Sequence, residues 1–165
     1  MLNFSMSQNE TKPKQRKGGI KSLKPNKHSR YHQGYVNPEQ CKKLFESVKG
    51  QPIIYRSGLE LQFIRFFEQS PMIAKWASEP FCIEYYSRLD KSTKNYYPDF
   101  YIETIKGNKM IVEIKPASQT EKCDVVDTQW AKKAWIRNTD KWMAAKEFAN
   151  KRGMKFVILS EKFFQ

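Results

Sequence analysis

Leu59, Phe63, Phe66 and Phe67 recur at the spacing of one helical face and predict a helix over 58–69. Ser57 supplies an N-cap, Glu60 three residues later completes a capping-box pattern, and Pro71 ends the run. Farther on the period changes to two. Met110, Val112 and Ile114 alternate with Ile111, Glu113 and Lys115, predicting a strand over 110–116 with one apolar and one charged face. Two strands are predicted before it, over 81–88 and 96–105, and Lys106-Gly107-Asn108 is a hairpin signal. Trp142, Ala145, Phe148 and Ala149 return to helical spacing over 140–152, with Asn138 or Thr139 as cap and Gly153 as the stop. Residues 155–159 read as a buried strand followed by a short terminal turn. Weaker patterns suggest a short helix over 38–48 and a helical stretch over 129–136, within an otherwise irregular 117–137. Helix, three strands, helix, strand is the order of an α/β sandwich with a mixed sheet.

Composition divides the chain. Its 165 residues suit one domain with a tail, and eleven Phe, eight Tyr and four Trp suffice for one core. Residues 1–33 are rich in Lys, Gln, Asn, Ser, Gly and Pro, a composition that cannot offset ordering entropy, so they are expected to be disordered when free. The folded domain is then 34–165. The net charge of +13 is uneven: 1–33 hold eight cations and one Glu. A basic tail on a still-basic body points to a polyanionic partner, of which nucleic acid is the commonest, against the plainer reading of a soluble cationic tail.

Cys41, Cys82 and Cys123 stand far apart without metal-ligand spacing, and His28 and His32, the only histidines, fall in the tail. This argues against a disulfide framework or a zinc site. No run approaches the roughly 18 apolar residues of a membrane span, and 1–33 lack the apolar stretch of a signal peptide. A soluble protein of a reducing cytosol, with no membrane partner, is expected.

The chemistry gathers at Pro98-Asp99 and, fourteen residues beyond Asp99, at Glu113-Ile114-Lys115. On one strand Glu113 and Lys115 point to the same side. Whether Asp99 joins them depends on the turn. A two-residue turn at Gly107-Asn108 sets Asp99 opposite Pro116 and facing away. A three- or five-residue turn centred on Gly107 sets it opposite Lys115, with all three side chains on one face, so an odd turn is predicted. The trio suits phosphodiester cleavage: two carboxylates are hard oxygen ligands for Mg²⁺, and the Ile114 carbonyl offers a further one. Lys115 would hold the attacking hydroxide or balance charge on phosphorus. An exposed Glu-x-Lys alone is usually a solvated pair. An aspartate inside the aromatic run 96–101, however, is poor strand chemistry unless it serves a site.

Other candidates divide more evenly. Glu60 either caps its own helix or turns to the sheet as a fourth acid. Gln119 would meet the attacking water or a phosphate, although an ordinary loop glutamine is the commoner case. Arg56 and Lys141 are candidate phosphate contacts among surface cations that are mostly just solvated. Trp76, Trp130, Trp135 and Trp142 read as core or partner-facing side chains.

Tyr55-Arg56-Ser57-x-x-Glu60, Trp76-Ala77-Ser78-Glu79-Pro80, Tyr97-Pro98-Asp99-Phe100, Val112-Glu113-Ile114-Lys115-Pro116 with Gln119, and Asn138-x-x-Lys141-Trp142 occur in one order. Together they resemble the head completion nucleases of T-even-like tailed phages and, more distantly, the transposon endonuclease TnsA, over 51–159. The resemblance implies the restriction-endonuclease-like fold, a helix-strand-strand-strand-helix-strand (αβββαβ) core with a mixed sheet flanked by helices, and PD-(D/E)xK chemistry. It places Glu60, Asp99 and Glu113 as metal-binding and catalytic acids and Lys115 as the catalytic lysine. It further implies Mg²⁺ (or Mn²⁺), DNA as substrate, phage head or portal proteins as partners, and action in the host cytoplasm or virion during assembly. Two other functions fit the same residues: cutting at transposon ends, and a non-catalytic head protein that holds DNA by charge.

Overall fold

The computed structural model describes residues 32–46, 52–120 and 128–165. In chain order these form β1 (Gly34–Val36), β2 (Ile53–Tyr55), α1 (Gly58–Gln69), β3 (Ile73–Ser78), β4 (Ile83–Ser87), β5 (Ser92–Tyr96), β6 (Phe100–Thr104), β7 (Lys109–Ile114), α2 (Gln129–Asn150) and β8 (Lys155–Leu159). The central sheet runs β3-β6-β7-β8, antiparallel except for the β7–β8 pair, which is parallel and joined through α2. It is a mixed sheet between two helices, in the αβββαβ order expected. The small pairs β1–β2 and β4–β5 are additions to it. Most of the predicted tail, residues 1–31, and Cys123 lie outside the described residues.

Helix α1 forms as its sequence predicts. The Ser57 side chain accepts the Glu60 N–H, and Phe63, Ile64 and Phe67 are buried. With Trp76, Phe100, Val112 and Ile114 they build the core on one face of the sheet; each large side chain so buried contributes about 1.5–3 kcal/mol. On the other face α2 and the β4–β5 hairpin enclose Ile83, Tyr85, Tyr96, Ile111, Ala145 and Ala149. Strand β7 is therefore covered on both sides. The face that carries the charges is not open to solvent: Glu113 is only 3% exposed.

Several predicted elements change. The first strand of the central sheet is β3, not residues 81–88, which belong to the added hairpin. A bulge between Ile73 and Lys75 disrupts the two-residue alternation that would have revealed β3. The strand predicted over 96–105 is two, because Pro98 has no N–H for the ladder and the chain turns there from β5 into β6. The two predicted stretches over 129–152 are one helix capped by Thr128, whose side chain accepts the Ala131 N–H. Thr139 lies within it, its hydroxyl donating to the Trp135 carbonyl. Of the helix predicted over 38–48, Pro38–Gln40 is a short 3-10 turn and Leu44 bridges Trp76 at the edge of β3, while residues 47 and 48 lie outside the described residues.

Candidate active site

The β6–β7 turn decides where Asp99 points. Thr104 N–H donates to the Asn108 carbonyl at 2.9 Å, and Gly107 takes φ +77°, a left-handed conformation that glycine adopts freely. The turn is odd, as predicted, but its centre is Lys106. Phe100 therefore pairs with Val112, and the same register carried back one step sets Asp99 opposite Glu113, not Lys115. The shift is two residues, so parity is kept and the three side chains share a face. Asp99 Oδ2 accepts the Ile114 N–H at 2.7 Å, and its carbonyl accepts the Glu79 N–H at 3.0 Å.

Lys115 folds back onto the oxygens around it. Its ammonium stands 2.7 Å from Glu113 Oε1, 3.1 Å from the Ile114 carbonyl and 4.0 Å from Asp99 Oδ2. Burial and the Glu113 charge push the Asp99 carboxyl up to about 8. Burial would lower the Lys115 ammonium, but Asp99 and Glu113 outweigh it and hold it above the usual lysine value. Once Asp99 gives up its proton, two acids face the one Lys115 ammonium and the pocket is short of positive charge.

Tyr96, the last residue of the β4–β5 hairpin, donates its hydroxyl to Glu113 Oε2, so both Glu113 oxygens are held. Burial, then Glu113, raises that phenol above its usual value. Lys141 of α2 lies 5.5 Å from the centre of the Tyr96 ring, and burial lowers its ammonium. Tyr96 escaped the sequence reading, which placed it in the Asp99 strand. Its signal is the inward aromatic ending an otherwise polar, exposed strand.

Glu60 stays at its own helix terminus. Its Oε2 accepts the Arg56 N–H at 2.8 Å and its Oε1 accepts the Ser57 hydroxyl at 3.1 Å. It nevertheless senses the centre: burial raises its carboxyl while Arg56, Ser57 and the Lys115 charge pull the other way. The Arg56 guanidinium pairs with Glu79 at 3.2 Å. Glu79, also missed from sequence, has φ +43°, a left-handed conformation unusual for glutamate, and joins this pair to the Asp99 carbonyl. Gln119 ends a 3-10 turn beyond β7, its N–H donating to the Pro116 carbonyl at 2.8 Å. The structure thus brings Asp99, Glu113, Lys115, Tyr96 and Lys141 together, with Glu60 close enough to act through its charge.

Among the described residues no three His, Cys, Asp or Glu side chains form a closed metal cage. The donor set is open: two carboxylates and the Ile114 carbonyl, with a lysine ammonium resting on all three. Such a set fits Mg²⁺, which keeps several waters and commonly takes only one or two carboxylates.

The family described as TnsA-like endonuclease N terminal matches residues 70–161, which include Asp99, Glu113, Lys115 and Lys141 but not Glu60. The head completion nuclease of Enterobacteria phage T4 is 34% identical over 130 residues, covering 72% of this chain and 87% of the relative.

Proposed function

Because the chain belongs to the TnsA-like endonuclease family, we propose that it hydrolyses DNA phosphodiester bonds with a bound divalent cation, Mg²⁺ first and Mn²⁺ next, in completing a phage head. The observation that carries the reading is the Lys115 ammonium resting on Glu113 Oε1, the Ile114 carbonyl and Asp99. A cation already favours that position, and these oxygens would hold the metal, with Glu60 adding negative charge nearby. The ion, when bound, would polarise the scissile phosphate and supply a hydroxide near neutral pH.

The chain's own groups do the rest. Displaced from the carboxylates, Lys115 would hold the attacking oxygen or offset charge gathering on the phosphate. Tyr96 fixes the Glu113 carboxylate from the side opposite Lys115. The Ile114 N–H fixes Asp99. Arg56, Gln119 and Lys141 are the phosphate contacts we infer around the centre. Residues 1–33 serve as a charged attachment to DNA outside the nuclease domain, 34–165; their deletion without weaker DNA binding at low salt would contradict that role.

The head-completion setting is preferred to cutting at transposon ends because similarity to the phage relative extends over most of both chains. Host cytoplasm is then the place of action, and no helix among the described residues is long and apolar enough to cross a membrane. Supercoiled plasmid incubated with the full chain tests the reading: nicking or linearisation with Mg²⁺ and none with EDTA is expected. Folded protein that binds the plasmid and never cuts it would leave the non-catalytic head protein as the better account.

A further inference from the structure

Helix α2 changes character along its length. In its second half Ala145 and Ala149 are buried, and Ala144 and Phe148 pack against the same core. From Gln129 to Thr139 no residue is buried. The side of that face carrying Ala144 and Phe148 nevertheless continues towards the N-terminus through Lys141, Arg137, Lys133 and Trp130. At 100° per residue these four fall within a narrow stripe, and the three cations step about 6 Å apart along the axis. Asp140, the acid of this stretch, is already taken by Arg88, whose backbone N–H reaches it at 2.9 Å. Asp90, which senses Arg137, is bonded to Ser87 and paired with Lys94.

The stripe has a definite destination. Lys141 at its inner end sits over Tyr96, which bonds Glu113. Trp130 at its outer end is 77% exposed and belongs to neither core cluster of the described residues. A row of cations ending at paired carboxylates suits a polyanion that is led to them. A bare indole at the other end suits a flat aromatic group, and successive bases of single-stranded nucleic acid stack on such side chains.

We propose that this face of α2 is the track for a DNA strand entering the active site, with Lys133, Arg137 and Lys141 on successive phosphates and Trp130 stacked on an unpaired base. The favoured substrate is then duplex DNA with a single-stranded arm. This rests on the nuclease reading above and extends it to the form of the DNA.

The test reads binding without cleavage: full-length Glu113→Gln protein in EDTA, with a blunt duplex and the same duplex carrying a single-stranded arm. Tighter binding of the armed duplex is expected, and Trp130→Ala should lose roughly five- to a hundredfold on it while barely changing the blunt one. Lys133→Ala/Arg137→Ala should weaken both and lower the slope of log affinity against log salt by roughly two. These side chains are exposed, so melting temperatures should match the parent. Equal binding of the two DNAs by the parent, or variants that bind as it does, overturns the track. A protein that never cuts DNA would still give these binding results, so this proposal and the nuclease reading can fail separately.

Discussion

A free aspartate gives up its proton near pH 3.8, whereas burial beside Glu113 moves Asp99 to about 8. Metal ligation needs the carboxylate form. Cation affinity should therefore rise about tenfold per pH unit below 8 and level off above it. The same raised value means that the metal-free fold is favoured by the proton, and loses that stabilisation as pH climbs from about 4 towards 8. Calorimetric titration of Mn²⁺ between about pH 6 and pH 9 measures the first effect, and a pH-independent affinity contradicts it. Tyr96→Phe isolates the neighbouring contact. Losing the hydroxyl that orients Glu113 should raise the Mg²⁺ concentration for half-maximal cleavage roughly tenfold, with little change in the rate at saturation. An unchanged Mg²⁺ requirement would make Tyr96 a packing residue only.

Elements carry the site as much as residues do. The β4–β5 hairpin brings Tyr96 to Glu113 and is tied to α2 through Arg88 and the buried Asp140. Arg88→Ala should cost about 1–2 kcal/mol in urea unfolding. That is less than the 3–5 of a fully buried pair, because the guanidinium is 57% exposed and the backbone N–H still reaches the carboxylate. Loss of less than half that amount would mean the tie is not what holds the hairpin.

What the sequence made legible follows from where its signals are local. Helix α1 could be placed because cap, period and stop agree within it, and strand β8 because its apolar run is short and follows Gly153, although its residues are half-buried rather than buried as expected. Parity put Asp99, Glu113 and Lys115 on one face, since a two-residue period leaves only two choices. The register was missed by two residues because hydrogen bonds of Thr104 move the turn's centre from Gly107 to Lys106. Strand β3 was hidden by its bulge, and the hairpin by the polar face of β5, where only Tyr96 turns inward. Glu79 joins the site through tertiary contacts alone, and for Tyr96 the local pattern marks an inward side chain without saying that it meets Glu113.

For the molecule as a whole, one end of the central sheet concentrates the chemistry. Strand β6 begins there, β3, β7 and β8 end there, and the N-terminus of α1 faces it. The chain's net charge is +13, so on the proposed reading DNA would be drawn to the protein while the acids of the pocket would favour a cation. The nuclease account predicts that all three central groups are needed together. The most direct measurement is the plasmid-nicking rate at saturating Mg²⁺ for Asp99→Asn, Glu113→Gln and Lys115→Met beside the parent, each checked for folding by circular dichroism. A loss on the order of a thousandfold in each folded variant is predicted, the scale of removing one essential charge-stabilising group. A folded variant that cuts within tenfold of the parent would contradict it.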